Sequence, residues 1–263
     1  MCRWVAYTGT PIFLDSLVST PVHSLIRQSL HANEAKVETN GDGFGLGWYG
    51  HHAEPGIYRD ILPAWSDDNL RSLCQQIQSR LFFAHVRAST GTATSRQNCH
   101  PFAIGKWLFM HNGQIGGYAS LRRKIEARIP DEIYHYRLGA TDSEAMFMIL
   151  FAHGLDSDPV CAVAQTLSEI DALRRASGID EALRFTATLS DGETIYAFRY
   201  ATDKFAPSLY YRCDAPRSCT IVSEPPDLEH DSWIEVPRRH LLIARPGKAA
   251  TLQPFELDGG SGS

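Results

Sequence analysis

Residues 1–9 read MCRWVAYTG, and the rest of the chain is best read outward from them. From Cys2 to Thr8 the residues alternate and are rich in β-forming side chains, which predicts a strand starting at the very N-terminus. Cys2 stands directly behind the initiator methionine. Processing enzymes remove Met1 when the second residue is small, and removal would leave a thiol and a free α-amine on one residue. A thiol titrates near ~8.5 and an α-amine near ~7.7–8.0, so the amine can take the proton of its own side chain and no separate histidine is needed. Taken alone, a cysteine at position 2 is better explained as a small residue at a strand start.

The segments that follow set the fold class. NGDGFGLGWYG (40–50) is a glycine-rich turn running into an aromatic strand, and LFFAHVRAS (81–89) and WLFMHNG (107–113) are buried strands ending in polar residues. Helical spacing follows the proline at 21–30, and Ser66-Asp67-Asp68 opens a capped amphipathic helix over 66–79. Thr141-Asp142-Ser143-Glu144 opens another helix, and one more lies within 159–177. Beyond that the chain turns to strands. A hairpin over 183–200 bends at Asp191-Gly192, and strands follow at 208–213, 219–223, 232–236 and 239–244. Strands, helices, then strands again predict an α+β fold, for which two packed sheets between helical layers would serve. No linker divides the chain, so residues 1–257 are expected to form a single domain, with DGGSGS (258–263) a flexible tail.

Composition excludes several classes. With 263 residues, 43% of them hydrophobic, the chain can bury a full core. A formal net charge of -5 and the lack of any Lys/Arg-rich run argue against nucleic acid as a partner. MFMILFAHG (146–154) is too short to span a bilayer, and the N-terminus has no signal-peptide pattern, so no membrane partner and a cytoplasmic location are expected. The six cysteines form no C-x-x-C pair and are expected as free thiols, although Cys213 and Cys219 could approach each other.

Chemistry-bearing residues gather at segment ends. The Asn112 side-chain amide and the Gly113 N–H can point at one spot, the donor pair that a tetrahedral oxyanion needs, although Asn-Gly turns are common. Alternation puts His85 and Arg87 on one strand face, where Arg87 could hold a carboxylate in a fork or make a salt bridge. Asp142 could accept a substrate ammonium, while Thr141 or Asp142 caps the helix and Glu144 completes a capping-box-like arrangement. Cys99 and His100, adjacent on an extended chain, point apart and cannot form a dyad with each other. His85, His100 and His111 lack metal-ligand spacing and an acidic ligand, so neither metal nor cofactor is expected.

MCRWVAYTG, NGDGFGLGWY, FFAHVRAST, NCHPF, FMHNGQI and TDSEAMF, in this order, resemble the class II glutamine amidotransferases. The chain looks most like the branch holding the amidotransferase-like subunit of the yeast glutathione-degrading complex and a bacterial γ-glutamyl amidase of ergothioneine biosynthesis. The motifs crowd residues 1–155, and IVSEP (221–225) and WIEVP (233–237) extend the similarity over nearly the whole chain. The resemblance implies a four-layer αββα sandwich of the N-terminal-nucleophile hydrolase type. It implies Cys2 as nucleophile, Asn112 and Gly113 as oxyanion donors, Arg87 for the substrate α-carboxylate and Asp142 for its α-ammonium. His85, His100 and Asp42 sit in the motifs as residues that would back the site. The chain has no phosphate loop and no evident acceptor domain. The expected activity is therefore hydrolysis of a small-molecule γ-glutamyl amide through a Cys2 thioester. The alternatives are a glutaminase subunit feeding ammonia to a separate synthetase, or a non-catalytic subunit in a complex with, for example, a peptidase.

Overall fold

The structure, a computed structural model, describes residues 2–32, 39–89, 93–214 and 217–257. Met1 and the tail at 258–263 lie outside the described residues. Two antiparallel sheets make the frame. Among the described residues the first has the order β11 (Ile234–Glu235), β9 (Tyr210–Asp214), β10 (Ser218–Val222), β1 (Arg3–Phe13), β4 (Gln78–Val86), β2 (Phe44–Trp48), β3 (Gly56–Asp60). The second has the order β13 (Thr251–Pro254), β12 (His240–Ala244), β8 (Ile195–Ala201), β7 (Arg184–Ser190), β6 (Trp107–Gln114), β5 (Phe102–Ile104).

Strand alternation sorts the side chains into three apolar layers. Trp4, Ala6, Leu81 and Phe83 of the first sheet meet Leu108, Met110 and Ala197 of the second between the sheets. On the outer face of the first sheet, Val5, Tyr7, Phe82 and Ala84 pack on α1 (Asp15–Val18), α2 (Leu25–Leu30) and α3 (Asp68–Gln76) through Val18, Leu25, Ile26 and Leu70. On the outer face of the second, Phe109, Phe185 and Leu189 pack on α4 (Tyr118–Glu126), α5 (Asp142–Ala152) and α6 (Pro159–Ala176) through Leu121, Phe147 and Leu167. The result is the αββα sandwich. Each fully buried phenylalanine or leucine here is worth roughly 1.5–3 kcal/mol against exposure.

Local chemistry starts the helices where the sequence places them. Asp67 caps α3 by accepting from Leu70 N–H, and Thr141 caps α5 by accepting from Glu144 N–H. Asp158 caps α6, with Pro159 in the first turn. Residues 143–150 of α5 are all buried, which explains a helix that is apolar all round. Among the described residues no helix is long and apolar enough to cross a membrane.

Some expectations need correction. Cys213 and Cys219, expected as free thiols, form a disulfide. They are directly opposed partners on the adjacent antiparallel strands β9 and β10, a register set by the short connection between them and not by a Cys-x-x-Cys spacing. The Glu144 carboxylate reaches back beyond Thr141, to the N–H groups of Leu138 and Gly139. The helix read at 21–30 occupies only Leu25–Leu30, with Ser24 as its cap.

Candidate active site

The site lies where β1 begins and β4 and β6 end. Register pairs Arg3 with Val86, so Cys2 stands beside Arg87 and Ala88. The Cys2 Sγ accepts the Ala88 N–H at 3.4 Å. From the opposing sheet, Asn112 donates its side-chain amide to the Cys2 carbonyl at 2.7 Å. Burial pushes the Cys2 thiol pKa up; the Ala88 hydrogen bond and the charges of Arg87 and Arg3 pull against it.

The N-terminal strand is braced from its other face. Arg3 pairs with Glu224 at 2.9 Å, and both are almost fully buried. Glu224 also meets His23 at 2.5 Å, and Ser223 Oγ accepts the Trp4 N–H at 2.9 Å. The IVSEP segment thus holds the strand that follows directly on Cys2. A buried ion pair is costly to break, because the surviving charge keeps no partner.

Arg87 is 3% exposed. Its guanidinium donates to the Asp42 carbonyl, Ser89 Oγ and the Ala93 carbonyl at 3.3, 3.2 and 3.4 Å. Asp42 closes the same loop, its carboxylate accepting the Ser89 N–H at 2.7 Å. The glycines of the 40–50 stretch admit a neighbouring chain here. A Cβ at Gly45 would fall 2.2 Å from the His100 carbonyl, and one at Gly43 2.6 Å from Cys99 Sγ. Residues 99–101 therefore lie across the strand where side chains would otherwise stand. Cys99 Sγ faces the Asp60 and Ser95 carbonyls, and the His100 ring turns to His85 at 4.4 Å between centroids, so the two neighbours do point apart.

Asp142 opens α5 behind the second sheet. Its carboxylate accepts Ile115 N–H at 2.9 Å and Ser143 N–H at 2.8 Å. This ties the helix start to the residues just after Asn112-Gly113. Gly113 has φ +151°, and a Cβ there would lie 2.0 Å from the Arg184 carbonyl. His111 connects the same pieces: Nε2 faces the Arg184 carbonyl at 3.1 Å and Nδ1 faces Ser143 Oγ at 2.8 Å. A carbonyl only accepts, so Nε2 carries the proton and Nδ1 accepts from the serine.

Burial keeps all three histidines neutral. It drives the His85 pKa down to about 3, with Arg87 adding to the effect, and it depresses His100 and His111 in the same direction. Among the described residues no group of three His, Cys, Asp or Glu side chains is placed to hold a metal ion. Cys2, Asn112 and Arg87 come together at one end of the sandwich, Asp142 is tied to the segment just after Gly113, and Asp42 and His85 lie beside Arg87 and on β4, with His100 against His85. Two further residues in this network, Ser143 and Asn98, had no role in the sequence reading. Both lie inside quoted motifs, the one signal that could have singled them out.

The family model "Glutamine amidotransferases class-II" matches residues 18–216. The "Probable glutamine amidotransferase DUG3" of Saccharomyces cerevisiae is 34% identical over 93% of this chain and 82% of its own length. The "Gamma-glutamyl-hercynylcysteine sulfoxide hydrolase" of Mycolicibacterium smegmatis is 28% identical over 93% of this chain and 96% of its own length. Among solved structures, a glutamine aminotransferase class-II domain protein from Silicibacter pomeroyi superposes with a TM-score of 0.76 at 38% identity, covering 97% of this chain and 99% of that one. The chain belongs to the class II glutamine amidotransferases, amidohydrolases of the N-terminal-nucleophile fold.

Proposed function

We propose that this chain, as one domain over residues 1–257, hydrolyses the γ-glutamyl amide bond of a small γ-glutamyl peptide or conjugate and releases glutamate. The observation that carries the reading is the contact of the Asn112 amide with the backbone of Cys2, beside Arg87 and Ala88. A thiol, an amide donor and a guanidinium side by side support this chemistry. With Met1 removed, the Cys2 thiol passes its proton to the new α-amine and its sulfur bonds to the substrate carbonyl carbon. Negative charge then develops on the carbonyl oxygen, where the second Asn112 hydrogen and the Gly113 N–H stabilise it. The C–N bond breaks and the leaving amine takes the proton, which leaves a γ-glutamyl thioester on Cys2. Water attacks the thioester, and glutamate departs as the thiol re-forms.

Arg87 takes the α-carboxylate and Asp142 the α-ammonium of the glutamyl head group. The two charges differ in sign and stand on different sides of the site, so a free amino-acid head is read at both ends. The name of the Mycolicibacterium relative, a hydrolase of a γ-glutamyl conjugate larger than glutamine, supports a conjugate as substrate.

The test is glutamate release by pure protein from a panel of glutamine, glutathione and γ-glutamylcysteine derivatives, with Cys2→Ala as blank. Release from the peptides or conjugates supports the proposal. Turnover of glutamine alone, raised by a co-purifying protein, would favour a glutaminase subunit supplying ammonia. Silence on the whole panel would overturn hydrolysis by this chain.

A further inference from the structure

Arg87 and Asp142 belong to different parts of the sandwich. Arg87 follows a strand of the first sheet, and Asp142 begins a helix packed behind the second. Recognition of a head group at both ends needs these charges at a fixed separation, and one side chain spans the gap. Asn98 is 2% exposed. Its Nδ2 donates to the Ala93 carbonyl at 2.7 Å, and its Oδ1 accepts the Ala140 N–H at 2.8 Å. The Ala93 carbonyl also receives Arg87 Nη2 at 3.4 Å. Ala140 lies two residues before Asp142, next to Thr141, the cap of α5.

We infer that Asn98 is a positioning residue, a bridge that sets the spacing between the Arg87 and Asp142 ends of the site and thereby its selectivity for substrates with both a free α-carboxylate and a free α-ammonium. The inference rests on the head-group reading above. Both ends of the amide are in use, so no other side chain of similar shape replaces it: aspartate loses the donor and leucine loses donor and acceptor. The neighbouring backbone is built around the bridge. A Cβ at Gly139 would fall 2.6 Å from Asn98 Oδ1 and 2.8 Å from the Gln97 carbonyl. From the far side, the Glu144 carboxylate takes the Leu138 and Gly139 N–H groups and pairs with Arg137, whose guanidinium also holds Glu126 at 2.7 Å. Residues 137–140 are thus anchored to α5, and Asn98 joins that block to the loop that Arg87 touches.

A bridge of this kind differs from a general stabiliser in what it does to different substrates. A γ-glutamyl amide uses both charges, whereas a glutaryl amide has the same chain and carboxylate but no ammonium. Relaxing the spacing harms the first and leaves the second nearly as it was. The experiment measures kcat and KM on a γ-glutamyl amide and the matching glutaryl amide for the wild type, Asn98→Ala, Gly139→Ala and Asp142→Asn. Thermal melting confirms that each variant is folded. Loss of both bridging hydrogen bonds predicts a fall of about tenfold in the γ-glutamyl over glutaryl preference, mainly through KM. Gly139→Ala wedges the same bridge from the opposite side and should move the preference the same way. It decides the matter should Asn98→Ala fail to fold. An equal loss on both substrates, or an unchanged preference in the folded variants, overturns the bridge. If Asp142→Asn alone collapses the preference, the head-group reading stands and only the bridge fails. If Asp142→Asn leaves it unchanged, the head-group reading fails and the bridge falls with it.

Discussion

Asn112 reaches across from the second sheet and donates its side-chain amide to the backbone carbonyl of Cys2 at 2.7 Å. An amide nitrogen has two hydrogens, so in the proposed mechanism one holds the backbone of Cys2 while the other serves the reacting carbonyl. The second matters only after attack, when the oxygen carries charge. Asn112→Ala is therefore expected to lower kcat by about 10²–10³ with little change in KM on a γ-glutamyl amide. Steady-state kinetics checks this. A raised KM at unchanged kcat would make Asn112 a ground-state contact and remove it from the oxyanion role.

Cys2 carries two linked expectations. Its thiol is pushed towards the protonated form by burial, so it depends on a base in direct reach, which in the proposed mechanism is the α-amine exposed by loss of Met1. Protein that retains Met1 should be inactive, and intact-mass analysis beside a glutamate-release assay tests the pairing. Full activity in a Met1-retaining preparation would sink the mechanism. Cys2→Ser should keep substrate binding and lose most turnover, because a hydroxyl is a far poorer nucleophile with so weak a base.

Arg87→Lys tests planar, two-point recognition. The guanidinium is held by carbonyls of Asp42 and Ala93 and by Ser89 Oγ, contacts that fix its plane. Lysine keeps the charge but neither the fork nor those contacts. The expected result is a raised KM for substrates with a free α-carboxylate and little change for their α-esters. If the ratio of the two stays as in the wild type, Arg87 does not bind the carboxylate.

Legibility in the sequence followed how local each signal is. Thr141 and Asp67 declare their helices because a cap acts within three residues, and the structure shows both bonds. The apolar run of α5 and the alternation of β1, β4 and β6 identify the packed layers for the same reason. By contrast, α4 buries only Leu121 and Ile125 and begins after Gly117 in a left-handed conformation, so its pattern is too sparse to show a helix. Strand β3 is half-buried over most of its length and lacks a clean alternation. At the site, the motif residues were visible as residue types. What joins them was not: the Asn98 bridge and the Ser143 contact with His111 each link segments whose approach only the tertiary fold decides.

The buried histidines give the fold a definite response to acid. The His85 and His100 rings lie against each other, tilted by 35° with centroids 4.4 Å apart, and none of their ring nitrogens has a hydrogen-bond partner among the described residues. Protonating either would bury an unpaired cation near Arg87. In the folded chain the His85 pKa falls from the ordinary 6.5 to about 3. The sign follows from linkage. Above the unfolded value both states are neutral and His85 contributes no pH dependence. Below it the unfolded chain binds a proton that the folded chain refuses, so stability falls as pH drops, down to the folded value. The slope for His85 alone is about 1.4 kcal/mol per pH unit within that window. His100 and His111 act in the same direction. Urea-unfolding midpoints between pH 7.5 and 4.5 should therefore fall steadily below pH 6.5, with little change above it. His85→Phe keeps an aromatic ring against His100 and removes one titrating group, so its curve should be flatter by about one proton over that range. A wild-type midpoint that holds constant from pH 7 to pH 5 would show that the histidines are not held neutral. A His85→Phe curve parallel to the wild type would assign the acid response to other groups.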